Sequence, residues 1–164
     1  MEKEKFREAT RFENIKEILY NSVKSYPNHV AFVTKIIKDK GVEYKNTTYK
    51  KLLDEVNALG TALYNLKLKG KRIAICGRNR YEWTLAHLSC LLGGMVSVPL
   101  DKELQVEELE DSLVRSKAEA IIFDEKYEDK IKTIQDNNKT KIKEYISMST
   151  LKGFTSLLDL LEKG

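Results

Sequence analysis

Apolar residues along this chain change their period several times, and each change marks a new element. Phe12, Ile15, Ile18, Leu19, Val23 and Tyr26 recur at helical spacing with charges between them, which predicts an amphipathic helix closed by Pro27. The β-branched run from His29 to Ile37, the turn residues Asp39 to Gly41 and the stretch from Val42 to Thr48 predict two short antiparallel strands. Thr48 is placed to cap a helix carrying Leu52, Leu53, Val56, Leu59, Leu63 and Leu66 on one side. Gly60 falls inside that helix, at a cost of about 1 kcal/mol relative to Ala. It either lets a neighbouring backbone come close or is simply tolerated.

From Arg72 onwards short apolar strands alternate with helices. Strands are expected at 72–77, 95–100, 120–123 and 144–148. Helices are expected at 79–92, with Asn79 as cap, and at 105–116, 127–134 and 155–162, with a polar turn at 136–141. Strands of four to six residues alternating with helices build βαβ units. The predicted class is therefore α/β, with a Rossmann-like parallel sheet covered on both faces. No repeat or linker divides the chain, so residues 1–164 are read as one piece.

Composition narrows the function. The 164 residues are 41% hydrophobic, which suffices for one packed core. Basic residues number 29 against 25 acidic, spread along the chain and mostly Lys, so a nucleic-acid role is not expected. Cys76 and Cys90 lie in apolar runs outside any CxxC pair, which disfavours a disulfide framework or zinc cluster and suits a reducing, cytoplasmic compartment. The N-terminus is charged and lacks the apolar stretch of a secretory signal, so the N-x-[ST] triplets at Asn46 and Asn138 read as chance. Trp83 to Leu100 is uncharged and reaches the lower limit of a membrane span. Gly93, Gly94 and Pro99 within it instead favour helix, turn and buried strand.

Most catalytic signatures are missing. There is no G-x-G-x-x-G, G-x-S-x-G or HExxH. Gly70-Lys71 looks like the end of a P-loop, but Asn65 stands where the first glycine belongs and Arg72 where Ser or Thr belongs. His87 and Cys90 are three apart on a helix and could pair at a metal or as nucleophile and base; packing into a core is the better reading. Asp101 and Glu103 are read as acids capping the next helix rather than as a catalytic pair. The residues alone give an α/β chain with no complete active site. A free-standing nucleotide- or acyl-binding module and a structural interaction domain both stay open.

Several strings carry a resemblance. Tyr26-Pro27-x-x-x-Ala31-Phe32 is followed by Thr48-Tyr49-x-x-Leu52-x-x-x-Val56-x-x-Leu59-Gly60-x-Ala62-Leu63. Then come Gly70-x-Arg72-Ile73-Ala74-Ile75-x-Gly77-x-Asn79-x-x-Glu82-Trp83 and Gly93-Gly94-x-x-x-Val98-Pro99-Leu100-Asp101. Glu108-Leu109 and Leu113-x-x-Ser116-x-Ala118 complete the series. In this order and spacing the chain resembles the N-terminal part of the adenylate-forming superfamily of acyl-CoA synthetases, luciferases and adenylation domains. The string from Pro99 to Leu104 is most similar to bacterial long-chain fatty-acid–CoA ligases. An aryl-CoA ligase or a peptide-synthetase adenylation domain is the alternative within the superfamily.

The resemblance implies that a carboxylate attacks the α-phosphate of ATP, releasing pyrophosphate, and that coenzyme A then displaces AMP to give a thioester. It implies ATP, Mg²⁺ and coenzyme A as cofactors and a fatty acid as substrate of the intact enzyme. The superfamily's Ser/Thr/Gly-rich phosphate loop, Tyr-Gly-x-Thr-Glu segment, ribose-binding aspartate and catalytic lysine have no counterpart in these residues. No catalytic or metal residue is therefore carried over, and the chain is expected to be an inactive N-terminal piece that binds no cofactor by itself. Arg78, Asn79 and Trp83 follow a strand's carboxyl end, where α/β sheets place ligands, and are the candidate substrate-binding residues. Helix capping by Asn79 and core packing by Trp83 are the structural alternatives. Uncovered apolar strands are expected to drive self-association, with a dimer as the ordered outcome.

Overall fold

The computed structural model describes residues 9–39 and 41–164. Local hydrogen bonds start the helices where the sequence offers caps. Asn14 accepts from the Glu17 N–H at 3.0 Å and opens α1 (Ile15–Ser25). Thr48 accepts from the Lys51 N–H at 3.2 Å and opens α2 (Tyr49–Asn65). Between them β1 (Val30–Lys38) and β2 (Gly41–Thr48) pair antiparallel as a separate two-stranded sheet. The turn expected at Asp39–Gly41 includes Lys40, which lies outside the described residues, as does most of the charged N-terminal stretch.

The rest is a parallel sheet in the order β4 (Val96–Leu100), β3 (Arg72–Cys76), β5 (Ala120–Phe123), β6 (Glu144–Ser147) and β7 (Thr155–Ser156). Helices α3 (Tyr81–Leu92), α4 (Val106–Ser116), α5 (Glu128–Asn137) and α6 (Leu157–Lys163) complete the chain. Alternation along the strands divides the core in two. Ile73, Ile75, Ala120, Ile122 and Ile146 pack with Leu59 and Leu63 of α2, Leu85 of α3 and Leu157 of α6. Ala74, Cys76, Ile121 and Phe123 turn the other way, onto Leu109 and Leu113 of α4 and Ile131 and Ile134 of α5. The outcome is a buried sheet between two helical layers, as the sequence predicts. Among the described residues no helix is long and apolar enough to cross a membrane.

Four local expectations are corrected. Asn79 does not cap α3; Arg80 holds the cap position without a side-chain cap bond, since a guanidinium has only donors, and these go to Glu82 and Glu125. The helix expected at 127–134 begins with a 3-10 turn at Glu125–Tyr127 and runs as α5 to Asn137, so it takes up part of the expected polar turn. Thr155 and Ser156 pair with Ile146 and Ser147 instead of starting a helix, and the Ser156 hydroxyl then accepts from Leu158 N–H to begin α6. Asp101 and Glu103 do not cap α4. Asp101 accepts from the Glu103 N–H within its own turn, while the Glu108 carboxylate accepts from the Gln105 N–H at the helix start.

Gly60 meets the α3 backbone. A Cβ built there would lie 3.6 Å from the Ser89 carbonyl oxygen, an ordinary contact. Gly60→Ala is therefore expected to fit and to stabilise the chain by about 0.5–1 kcal/mol through helix propensity. Gly60→Leu would force α2 from α3 and destabilise it. Chemical denaturation of both variants checks the pair, and an Ala variant less stable than the parent contradicts it.

Candidate functional site at the carboxyl end of the sheet

β3 is followed by α3 on one face of the sheet, and β5 by α5 on the other. The two strands are neighbours, so the chain leaves them in opposite directions and opens a crevice at their carboxyl ends. Gly77 and Asp124 are the residues just past those ends. A Cβ on Gly77 would lie 2.9 Å from the Asp124 Cβ, so this glycine lets the two loops touch.

An ion-pair network fills the crevice. Asp124 is fully buried. Its carboxylate accepts from Arg78 Nε at 2.6 Å and Nη2 at 2.8 Å, and from the Lys126 N–H at 3.1 Å. Burial alone would raise the Asp124 pKa, but the bonds from Arg78 and the backbone N–H groups outweigh it and hold the carboxyl below its ordinary value. Arg80 donates to both Glu125 oxygens at 2.9 and 2.8 Å and to Glu82 at 2.7 Å. Its reach to the Ser149 hydroxyl, at 3.3 Å, ties in the loop after β6.

A groove runs beside this network, between β1 and the start of α3. Its volume is about 550 Å³, and Phe32, Asn79, Tyr81 and Trp83 are among the residues lining it. Tyr81 is fixed by a hydrogen bond to Glu55 at 2.5 Å and stands edge-on to Phe32 at 5.3 Å between ring centroids. Burial, then the Glu55 carboxylate, push its phenol well above the usual tyrosine range, so it stays protonated. Trp83 stacks on His87, whose Nδ1 lies 2.7 Å from the Ser97 hydroxyl. Burial lowers the His87 pKa. Cys90 is fully buried, with burial pushing its thiol up to about 12, and Cys76 is likewise pushed up to about 11. Both thiols are protonated at neutral pH and are not nucleophiles.

Asn79 and Trp83 thus share the groove, with Trp83 also packed against the core. Arg78 lines an adjoining depression beside Asn79, its guanidinium turned to Asp124. Sequence reasoning missed Asp124, Glu125 and Glu55. Asp124 did carry a signal: it follows the apolar strand Ala120–Phe123 directly, at the position where α/β sheets expose side chains to ligands.

These residues do not fit ATP. Arg78 and Arg80 are already neutralised by Asp124, Glu82 and Glu125, and the three carboxylates would repel a triphosphate. Among the described residues no group of three or more His, Cys, Asp or Glu could hold a metal ion.

Comparison with known proteins gives a family. The model of AMP-binding enzymes matches residues 19–158. The medium-chain acyl-CoA ligase ACSF2 of Bos taurus is 30% identical over 81 residues, covering 49% of this chain and 13% of that protein. Long chain acyl-CoA synthetase 2 of Arabidopsis thaliana is 27% identical over 128 residues, 77% of this chain and 19% of that protein. The solved long-chain-fatty-acid-CoA ligase FadD1 of Archaeoglobus fulgidus superposes with a TM-score of 0.80 at 13% identity, covering 95% of this chain and 31% of that one. The chain therefore spans a small part of the length of the relatives it matches, and its α/β architecture is that of their N-terminal domains.

Proposed function

The chain belongs to the AMP-binding enzyme family, and from that premise we propose that it forms the N-terminal portion of an ATP-dependent long-chain fatty-acid–CoA ligase. The match of the family model across residues 19–158 carries the reading. The string from Pro99 to Leu104 and the similarity to a long chain acyl-CoA synthetase support a long-chain acid. In the intact enzyme the acid would be adenylated by ATP and the acyl group passed to coenzyme A. Among the described residues no group of His, Cys, Asp or Glu could hold Mg²⁺, and the crevice carboxylates do not suit the nucleotide. Their part is to wall the acid and pantetheine space with Asn79, Trp83, Phe32 and Tyr81, while Asp124 holds Arg78 at its margin. Two free buried thiols support a cytoplasmic setting. Val33, Ile37 and Tyr44 expose 60%, 79% and 66% of their surface on the hairpin, which supports self-association of the isolated chain, as a dimer.

The natural gene product that contains these residues, expressed in full, tests the reading. It is expected to release pyrophosphate and form acyl-CoA faster with palmitate than with octanoate or benzoate. Preference for octanoate or benzoate overturns the long-chain assignment, and no adenylation of any acid overturns the ligase assignment. The 164-residue chain by itself is expected to release no pyrophosphate above a heat-killed sample. Release would show that it carries a phosphate site of its own.

A further inference from the structure

Tyr81 is the first residue of α3 and borders two cavities at once. One is the groove of about 550 Å³ that it shares with Phe32 and Trp83. The other is an adjoining depression of about 710 Å³, which Lys45, Arg78, Glu82 and Glu125 help to line. Thr34, Lys35, Asn79 and Arg80 are the other residues common to both, so the boundary between the two spaces runs through Tyr81. The spaces differ in chemistry. Phe32, Val33 and Trp83 give the groove apolar walls. The depression is walled by charged side chains of the hairpin and of the crevice network.

A half-buried ring beside open space can change rotamer, but Tyr81 is held from two sides. Phe32 meets it edge-on, and its hydroxyl donates to Glu55 Oε2 at 2.5 Å. Glu55 lies on α2, and its other oxygen is 3.7 Å from Lys51, one turn earlier. A hydrogen bond to a carboxylate is about twice as strong as one between neutral groups. The helices themselves are already joined by apolar packing of Leu59 and Leu63 with Leu85, without this tie. We propose that Glu55 is a positioning residue for the acid substrate: through its bond to Tyr81 it fixes the ring as the end wall of the groove and so sets the length of acyl chain accepted. This rests on the reading of the chain as the N-terminal portion of a fatty-acid–CoA ligase whose acid lies along the groove.

The contrast between the two spaces turns the position of one ring into selectivity. Each methylene taken into an apolar groove strengthens binding roughly fourfold. Past Tyr81 that gain stops, because alkyl carbon among the charged groups of the depression displaces their water and makes no compensating bond. With the ring fixed, an acid slightly too long for the groove meets a wall that does not yield. With the ring released, it turns aside, and the discrimination between neighbouring chain lengths flattens.

The natural gene product that contains these residues, expressed in full and assayed with a series of saturated acids from octanoate to arachidate, tests this. Tyr81→Phe and Glu55→Ala delete the same bond from its two ends. Each is expected to raise KM for the best acid roughly fivefold and to bring neighbouring chain lengths within about twofold of one another in kcat/KM. KM for ATP should stay within about twofold of the parent value. The double variant should be no worse than either single one, because the bond can be lost only once. Glu55→Gln keeps an acceptor for the phenol and should restore most of the parent's length profile. Lys51→Gln alters the other neighbour of Glu55 and should leave the profile unchanged. The proposal is overturned if a parent that makes acyl-CoA keeps its length profile in Tyr81→Phe and Glu55→Ala. It is equally overturned if KM for the acid and for ATP rise together as the melting temperature falls, which is the result of a merely structural tie. A parent that adenylates no acid overturns the ligase reading itself, and this proposal with it.

Discussion

Replacing Asp124 with Ala is expected to cost about 3 kcal/mol of stability and to lower the melting temperature by roughly 10 °C. The carboxylate is fully buried and is saturated by Arg78 and by backbone N–H groups. Removing it strands those donors at the mouth of the crevice, where part of the Arg78 guanidinium stays out of water. Arg78 is itself 46% exposed, so water recovers some of the loss and keeps the figure at the lower end for a broken buried pair. The effect has a definite pH dependence. Because the folded-state pKa is depressed, the ionised carboxylate contributes its stability above the ordinary aspartate value of about 3.9. That contribution is lost as pH falls from there through the folded-state pKa. The gap between parent and Asp124→Ala should therefore be full at neutral pH and narrow in acid. Thermal melts at a series of pH values check it, and a gap that stays constant into acid would falsify the charge-based account.

Phe123→Ala is expected to cost about 4 kcal/mol, enough to leave the chain partly unfolded at 37 °C if its stability is ordinary. Phe123 is fully buried and meets Phe154 edge-to-face, with ring centroids 5.0 Å apart. It closes the core beneath α4 and α5, and the next residue is Asp124, so the cavity would open directly under the ion-pair network. Arg78→Ala makes the comparison. It leaves the fully buried Asp124 carboxylate hydrogen-bonded by backbone N–H donors alone, so it should cost about as much as Asp124→Ala and less than Phe123→Ala. Urea denaturation of the three variants ranks them; Phe123→Ala milder than Arg78→Ala would place the stability of this region in the charges instead of the packing.

The order of elements was readable because both periods were clean. Apolar residues three and four apart marked α2 and α4, and unbroken runs such as Ala120 to Phe123 marked strands buried on both faces. Element edges were less readable. Thr155 and Ser156 are polar and could open a helix or end a strand; β6 lying beside them decided for the strand. Asn79 has the side chain of a helix cap, but the helix starts after Arg80, whose partners lie 45 residues away on Glu125 and next door on Glu82. Local propensity cannot anticipate a competition settled by a distant carboxylate.

The site divides the same way. Sequence by itself determined that Arg78, Asn79 and Trp83 follow a strand's carboxyl end, since a strand, a glycine and a helix in succession leave few other places for them. It also determined the family resemblance, because that rests on residue order and spacing. Only the tertiary structure decided that β5 lies next to β3, that Gly77 allows Asp124 to approach, and that Arg78 is held by that carboxylate while Asn79 and Trp83 face a groove. Periodicity along a chain records which face each residue buries. Which strands meet is set by the packing of helices on both sides of the sheet, and that is a property of the whole fold.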